Sequence, residues 1–193
     1  MTRPATAAQP RAATESTAAV KVVVLGLGNP VLGDDAVGLH VAAQVEQLQR
    51  EKPVDGVTVL TSARAGFELI DLLAGFTHAV IVDCLEVPDP APGRVRRLGL
   101  SSVSGSARLV GVHDIGLADA FELARTLRVE MPRTVEILAV DGGSTRTLSE
   151  EMTPLVAAAV APLARAVHAR VGEWVRGVDL TAGMGATVAR PEP

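Results

Sequence analysis

A chain of 193 residues, 48% hydrophobic and 21% charged with a formal net charge of −4, has the size of one domain and can bury a substantial core. That excludes fibrous and wholly disordered chains. With 2% aromatic residues, no tyrosine and a mildly acidic balance, the chain lacks the cationic surface and stacking platforms of a nucleic-acid binder. Its single cysteine, Cys84, excludes an internal disulfide and any multi-cysteine zinc site, and fits a reducing, cytoplasmic setting.

Residues 1–19 are rich in Ala, Thr, Pro and Gln, hold no signal-peptide core, and read as a disordered leader. Residues 20–26 form a near-continuous apolar run ending in glycine, the pattern of a strand buried on both faces. A turn-rich stretch to Gly33 leads into a helix over about 35–49. Val37, Val41, Val45 and Leu48 share one of its faces, and Asp34 and Asp35 stand where carboxylates complement the helix dipole. A strand over 57–61 and a short helix over 67–73, stopped by Gly75, follow. Residues 78–83 read as a strand buried until its polar last residue. In 94–98, Val95 and Leu98 alternate imperfectly with Arg94, Arg96 and Arg97, which suggests an edge strand. Residues 101–105 are loop.

An amphipathic helix over 116–127 aligns Leu117, Phe121, Ala124 and Leu127, and residues 134–140 form a fifth strand. Thr153 and Pro154 suit the N-cap and first position of a long helix that reaches Trp174 and bends at Pro162. Residues 177–193 have the composition of a loose tail. No run reaches the ~18 apolar residues of a membrane-spanning helix, so one soluble domain over 20–176 with no membrane partner is expected.

Strands alternating with helices imply a three-layer α/β sandwich around a mostly parallel five-stranded sheet. In such sheets sites form beyond the carboxyl ends of the strands. That directs attention to three places: the segment G-L-G-N-P-V-L-G-D-D-A-V-G from Gly26 to Gly38, Asp83 at the end of V-I-V-D, and His113 ahead of the helix at Gly116. The first segment lacks the third glycine of a dinucleotide fingerprint, since Val31 stands there, and it carries acids where a pyrophosphate would approach. Nucleotide or phosphate binding through Gly26, Gly28 and Gly33 is the weaker alternative. A carboxylate at the end of a buried strand costs several kcal/mol, by rough estimate, unless paired, hydrogen-bonded or bound to a cation. Asp35, Asp83 and His113 fall at one sheet edge, and two carboxylates with one imidazole suit a divalent transition metal with open positions. Protonation of His113 is then expected to release the ion below pH ~6.5. His40, His78 and His168 fall within or at the far ends of elements and read as structural. Cys84 as a nucleophile with His113 as base is the less favoured reading, because a lone cysteine beside a buried strand is usually a small core residue.

The glycine- and acid-rich segment 26–38, V-I-V-D ending at Asp83, Pro92-Gly93, and H-D-I-G-L-A-D from His113 occur in the order found in hydrogenase maturation proteases, and residues 21–174 resemble that family. The resemblance implies an α/β sandwich with a mostly parallel five-stranded sheet. It implies metal-binding positions at Asp35, Asp83 and His113, with Asp34 as the adjacent acid, and Asp35 and Asp83 as catalytic residues of an aspartic-type endopeptidase. The implied reaction is cleavage near the C-terminus of a nickel-containing hydrogenase large-subunit precursor after nickel insertion, with the precursor's nickel as the recognition signal. Two loops depart from the family pattern. T-S-A-R-A-G over 61–66 places Arg64 where a small polar residue is expected. A-V-D-G-G-S over 139–144 replaces a G-I-x-P-E-like segment. A module that binds precursors in a metal-dependent way without cutting them is therefore the second reading.

Overall fold

The structure, a computed structural model, describes residues 19–63, 66–100, 108–109, 116–145 and 147–177. The leader up to residue 18, the loop over 101–105, Arg64, His113 and the tail from 178 lie outside the described residues.

Strand β1 (Val22–Leu27) is buried along its whole length, as its unbroken apolar run requires. It lies between β2 (Val57–Ser62) and β3 (His78–Glu86), parallel to both, with Gly26 opposite Thr61 on one side and Val82 on the other. On the far side of β3 lies β6 (Thr134–Asp141), also parallel, and β4 (Val95–Leu98) closes that edge antiparallel to β6. The strand order is therefore β2-β1-β3-β6-β4. A two-residue strand, β5 (Arg108–Leu109), pairs antiparallel with the end of β3 and was not anticipated. The predicted five-stranded, mostly parallel sheet is present.

Period-two alternation sorts the strand side chains into two cores. Val22, Val24, Val80, Val82, Cys84, Leu138 and Val140 pack under α1 (Val37–Glu51) and α4 (Pro154–Val175). Val23, Leu25, Ala79, Ile81 and Ile137 pack under α2 (Glu68–Leu73) and α3 (Leu117–Leu127). Each fully buried Val, Leu or Ile contributes about 1.5–3 kcal/mol. α4 is long and apolar enough to cross a membrane, but its Val156, Val160, Leu163, Val167, Val171 and Trp174 are buried against α1 and the sheet. The composition of α4 is that of a core helix. It is one helix across Pro162.

Four local expectations change. The chain leaves β1 through a 3-10 turn, Gly33–Ala36, so α1 begins at Val37 and not at Asp35. β3 continues three residues past Asp83, because antiparallel β5 and parallel β6 supply partners there. In β4 the inward residues are Arg96 and Leu98 while Val95 is exposed; the buried Asp141, two residues along β6 from Arg96's cross-strand partner Ala139, draws Arg96 in. Thr153 sits at the N-cap of α4 with Pro154 following, but its hydroxyl makes no cap and donates to Asp34.

Candidate active site

β1 has β2 on one side and β3 on the other, and the crossovers leave in opposite directions. The crevice between the carboxyl ends of β1 and β3 is thus the topological switch point of the sheet. The loop after β1 and Asp83 of β3 both stand there. The helix behind them approaches very closely. A Cβ on Gly38 would lie 2.2 Å from the Leu27 carbonyl oxygen and 2.4 Å from that of Val82. Gly28, at φ +146°, turns the chain so tightly that a Cβ there would strike the Asp35 carbonyl oxygen. The glycines of the 26–38 segment therefore fold this loop onto itself and seat α1 on the strand ends.

Asp35 lies in the 3-10 turn and is 3% exposed. Its Oδ2 accepts the Asn29 backbone N–H at 2.9 Å, and the Asn29 side chain in turn accepts the Val31 N–H at 3.1 Å. Its Oδ1 is buried with no hydrogen-bond partner among the described residues. Burial pushes the Asp35 carboxyl up to about 6, opposed by the Asn29 N–H. Asp83 is 2% exposed, and strand alternation places it on the face of Ala79 and Ile81, away from Cys84. Its Oδ1 accepts the Cys84 N–H at 2.7 Å. Burial raises its carboxyl well above the ordinary range; the Cys84 N–H opposes that, and the charge of Asp35 adds to it. Asp35 and Asp83 thus lie near enough for the charge of one to act on the other. Two buried carboxyls in one crevice are costly to ionise together unless a cation compensates them.

Asp34, one residue away, has a different fate. It is fully buried, and it accepts four hydrogen bonds: from Gly143 N at 2.8 Å, Ser144 N at 2.9 Å, and Thr153 through both N (2.6 Å) and Oγ1 (3.0 Å). Three of these bonds converge on Oδ2 and one reaches Oδ1, so both oxygens are engaged by the protein. Cys84 is buried on the α1/α4 side, and its thiol is pushed far up, first by burial and then by the charges of Asp83, Asp35 and Asp34. Such a thiol is an inert core group and not a nucleophile. Among the described residues no three His, Cys, Asp or Glu side chains form a group able to hold a metal ion. Asp35 and Asp83 supply two donors, and His113 lies outside the described residues. Two of the other three histidines, His78 and His168, lie away from the crevice. His78 opens β3 at its opposite end, its ring tilted at 44° against Trp174 with the centroids 5.1 Å apart; His40 is exposed on α1; His168 sits 3.0 Å from Gln49 and 3.1 Å from the Lys52 carbonyl.

A further buried carboxylate, Asp141, escaped the sequence reading. Arg96 grips both its oxygens, at 2.5 and 2.7 Å, and the Ala91 N–H reaches Oδ2 at 3.2 Å. Burial works to raise this carboxyl, and the bonds from Arg96 and Ala91 with the charges of Arg96 and Arg94 outweigh it, holding it below its usual range. The bridge fastens the β3–β4 connection to the end of β6. The sequence held no signal for it, because Arg96 reads there as an outward residue of an edge strand.

The family model of hydrogenase maturation protease (HycI) matches residues 39–170. The chain belongs to the hydrogenase maturation protease family. Hydrogenase 2 maturation protease of Escherichia coli (strain K12) is 30% identical over 155 residues, which is 80% of this chain and 92% of that protein. The hydrogenase maturating endopeptidase HybD from E. coli superposes with a TM-score of 0.67 at 27% identity, covering 80% of this chain and 94% of that one. The NiFe hydrogenase maturation protease HycI from Thermococcus kodakarensis KOD1 matches with a TM-score of 0.59 at 21% identity, over 78% of this chain and 91% of its own, and shares the fold. The family match begins after the 3-10 turn and takes in Asp83, while Asp34 and Asp35 precede it.

Proposed function

We propose that this protein is the endopeptidase that removes the C-terminal extension of a nickel-containing hydrogenase large-subunit precursor after nickel insertion, acting in the cytoplasm on the nickel that the precursor carries. Family membership supports the reaction class, and the buried, half-partnered carboxyl of Asp35 beside Asp83 supports the site. An isolated chain holds this pair at a cost; a divalent ion brought by the substrate relieves it, because both carboxyls then ionise as oxygen ligands. His113 is the third donor in this reading, and the mixed oxygen and nitrogen set suits nickel. The chain's own residues bind and orient: Asn29 holds Asp35 through its backbone N–H, and the β3–β6 ladder fixes Asp83 at the floor of the crevice. Asp35 and Asp83 are the residues proposed to act on the scissile peptide, by positioning it and the attacking water against the substrate's metal centre.

The decisive experiment incubates the purified chain with its cognate nickel-loaded precursor and follows the mass of the large subunit. Wild type shortens the precursor, and Asp83→Asn and Asp35→Asn lower the rate by about two orders of magnitude or more. No cleavage by wild type, or an Asp83→Asn variant as active as wild type, overturns the proposal. Stable co-purification with an uncleaved precursor would identify a binding module instead.

A further inference from the structure

We infer that Asp34 is the positioning residue of this site: a clamp formed by the β6–α4 connection and the start of α4 grips its carboxylate and thereby sets where the Asp35 carboxylate stands. The inference rests on the proposed role of Asp35 in substrate handling, and it assigns to the clamp a function that neither the fold nor the acid pair requires by itself.

The clamp is built from parts distant in sequence. Gly143 and Ser144 present two successive backbone N–H groups to Asp34 Oδ2, a concave arrangement suited to an anionic oxygen. Thr153 adds its N–H to Oδ1 and its hydroxyl to Oδ2 at the N-terminus of the 22-residue helix α4, where the helix dipole favours negative charge. The main chain is tied in the same place: the Asp34 N–H donates to the Ser144 carbonyl at 3.0 Å and the Gly33 N–H to the Ser149 carbonyl at 2.7 Å. The Asp35 carboxylate itself accepts one hydrogen bond, from the Asn29 N–H, while its backbone N–H donates to the Leu32 carbonyl. Its Cα is one peptide, about 3.8 Å, from the clamped residue, so the anchorage of Asp34 fixes its starting point. Metal-ligand distances tolerate only about 0.2 Å, and an error near 1 Å at a reacting group costs on the order of a hundredfold in rate.

The same geometry gives the unusual A-V-D-G-G-S stretch a role. A Cβ on Gly142 would come within 2.6 Å of the Cys84 sulfur and of Thr145 Cγ2, and one on Gly143 within 3.0 Å of Pro92 Cγ. Two glycines let the two N–H groups close on a carboxylate at this crowded junction. The departure from the family pattern is thus the local means by which this chain builds the clamp.

The Asn29 amide reports the position of Asp35, because its N–H is protected by Asp35 Oδ2. Amide hydrogen exchange on the full chain, followed residue by residue, compares wild type with Asp34→Asn, Thr153→Val and Thr153→Ser; Asp35→Ala sets the unprotected limit for Asn29. Protection at Asn29 should fall about tenfold in Asp34→Asn and less in Thr153→Val, while Thr153→Ser keeps it and the core amides of β1 and β3 stay protected in all variants. Should Asp34→Asn fail to fold, the Thr153 pair carries the test. Unchanged Asn29 protection in a folded Asp34→Asn variant, or equal loss in Thr153→Val and Thr153→Ser, overturns the inference. The readout is independent of cleavage: if wild type cuts no precursor the endopeptidase reading fails, whereas the exchange result judges the clamp alone. Where wild type does cut, Asp34→Asn should lose about a hundredfold in kcat/KM at a temperature where it is folded.

Discussion

Replacing Asp35 by Asn is expected to make the metal-free protein more stable at neutral pH while removing its activity. Burial lifts the Asp35 carboxyl from 3.8 to about 6. An acid whose folded pKa lies above its unfolded value holds its proton more tightly in the native state. Its favourable contribution is therefore present below the unfolded pKa, declines as pH rises between the two values, and becomes a full deficit above about 6. At 1.36 kcal/mol per unit, that deficit is about 3 kcal/mol as an upper bound. Asn keeps an acceptor for the Asn29 N–H but leaves an amide group where Asp35 Oδ1 now has no partner among the described residues, which returns about 1–2 kcal/mol. A net gain of about 1–2 kcal/mol corresponds to a midpoint raised by about 2–8 °C in a domain of this size. Thermal unfolding with a chelator present, at about pH 5 and pH 7.5, gives the comparison: the wild-type midpoint falls between the two, the variant's falls less, and the curves converge at the acid end. Asp83 shares the sign of the effect, and loss of the Asp35 charge also eases its own burial. A variant no more stable than wild type near neutrality, or with the same pH slope, would refute the reasoning. The proposed function supplies a reason for keeping so costly a pair, since sites are where stability is given up.

Other perturbations have equally definite outcomes. Cys84→Ala should retain precursor cleavage and cost about 1–2 kcal/mol for the vacated volume, and native Cys84 should resist alkylation; loss of cleavage in a folded variant would restore the thiol as a candidate nucleophile. Gly38→Ala drives a methyl into the Leu27 and Val82 carbonyls and should lower stability by about 3 kcal/mol or more, read as a fall in the unfolding midpoint; a wild-type midpoint contradicts the close approach. Arg96→Ala leaves Asp141 buried with one backbone donor and should cost about 2–3 kcal/mol near neutral pH, discounted for the partial exposure of Arg96. Because the folded Asp141 carboxyl lies below its usual range, the margin over Arg96→Ala should shrink as pH falls through it. Denaturant titrations that show a constant margin down to acid pH would sink that assignment.

Much of the architecture was legible along the chain because strands buried on both faces must be apolar without interruption. β1, β3 and β6 carry such runs, and the helices between them show one apolar face. The acids of the first loop and Asp83 were legible for the complementary reason: a carboxylate ending an apolar strand has to be compensated. What could not be read was partnership. Arg96 looked like an outward residue of an edge strand until Asp141 appeared within its reach, and Thr153 looked like a cap until its hydroxyl was found on Asp34.

The order of elements, the α/β class and the candidacy of Asp35 and Asp83 were thus determined by the sequence alone, because hydrophobic periodicity and unpaired charge are local properties. The division of labour between Asp34 and Asp35 was decided only by the tertiary structure. These neighbours share a residue type and a turn, and only the arrival of Gly143, Ser144 and Thr153, more than a hundred positions later, satisfies one carboxylate and leaves the other with an oxygen unpartnered among the described residues.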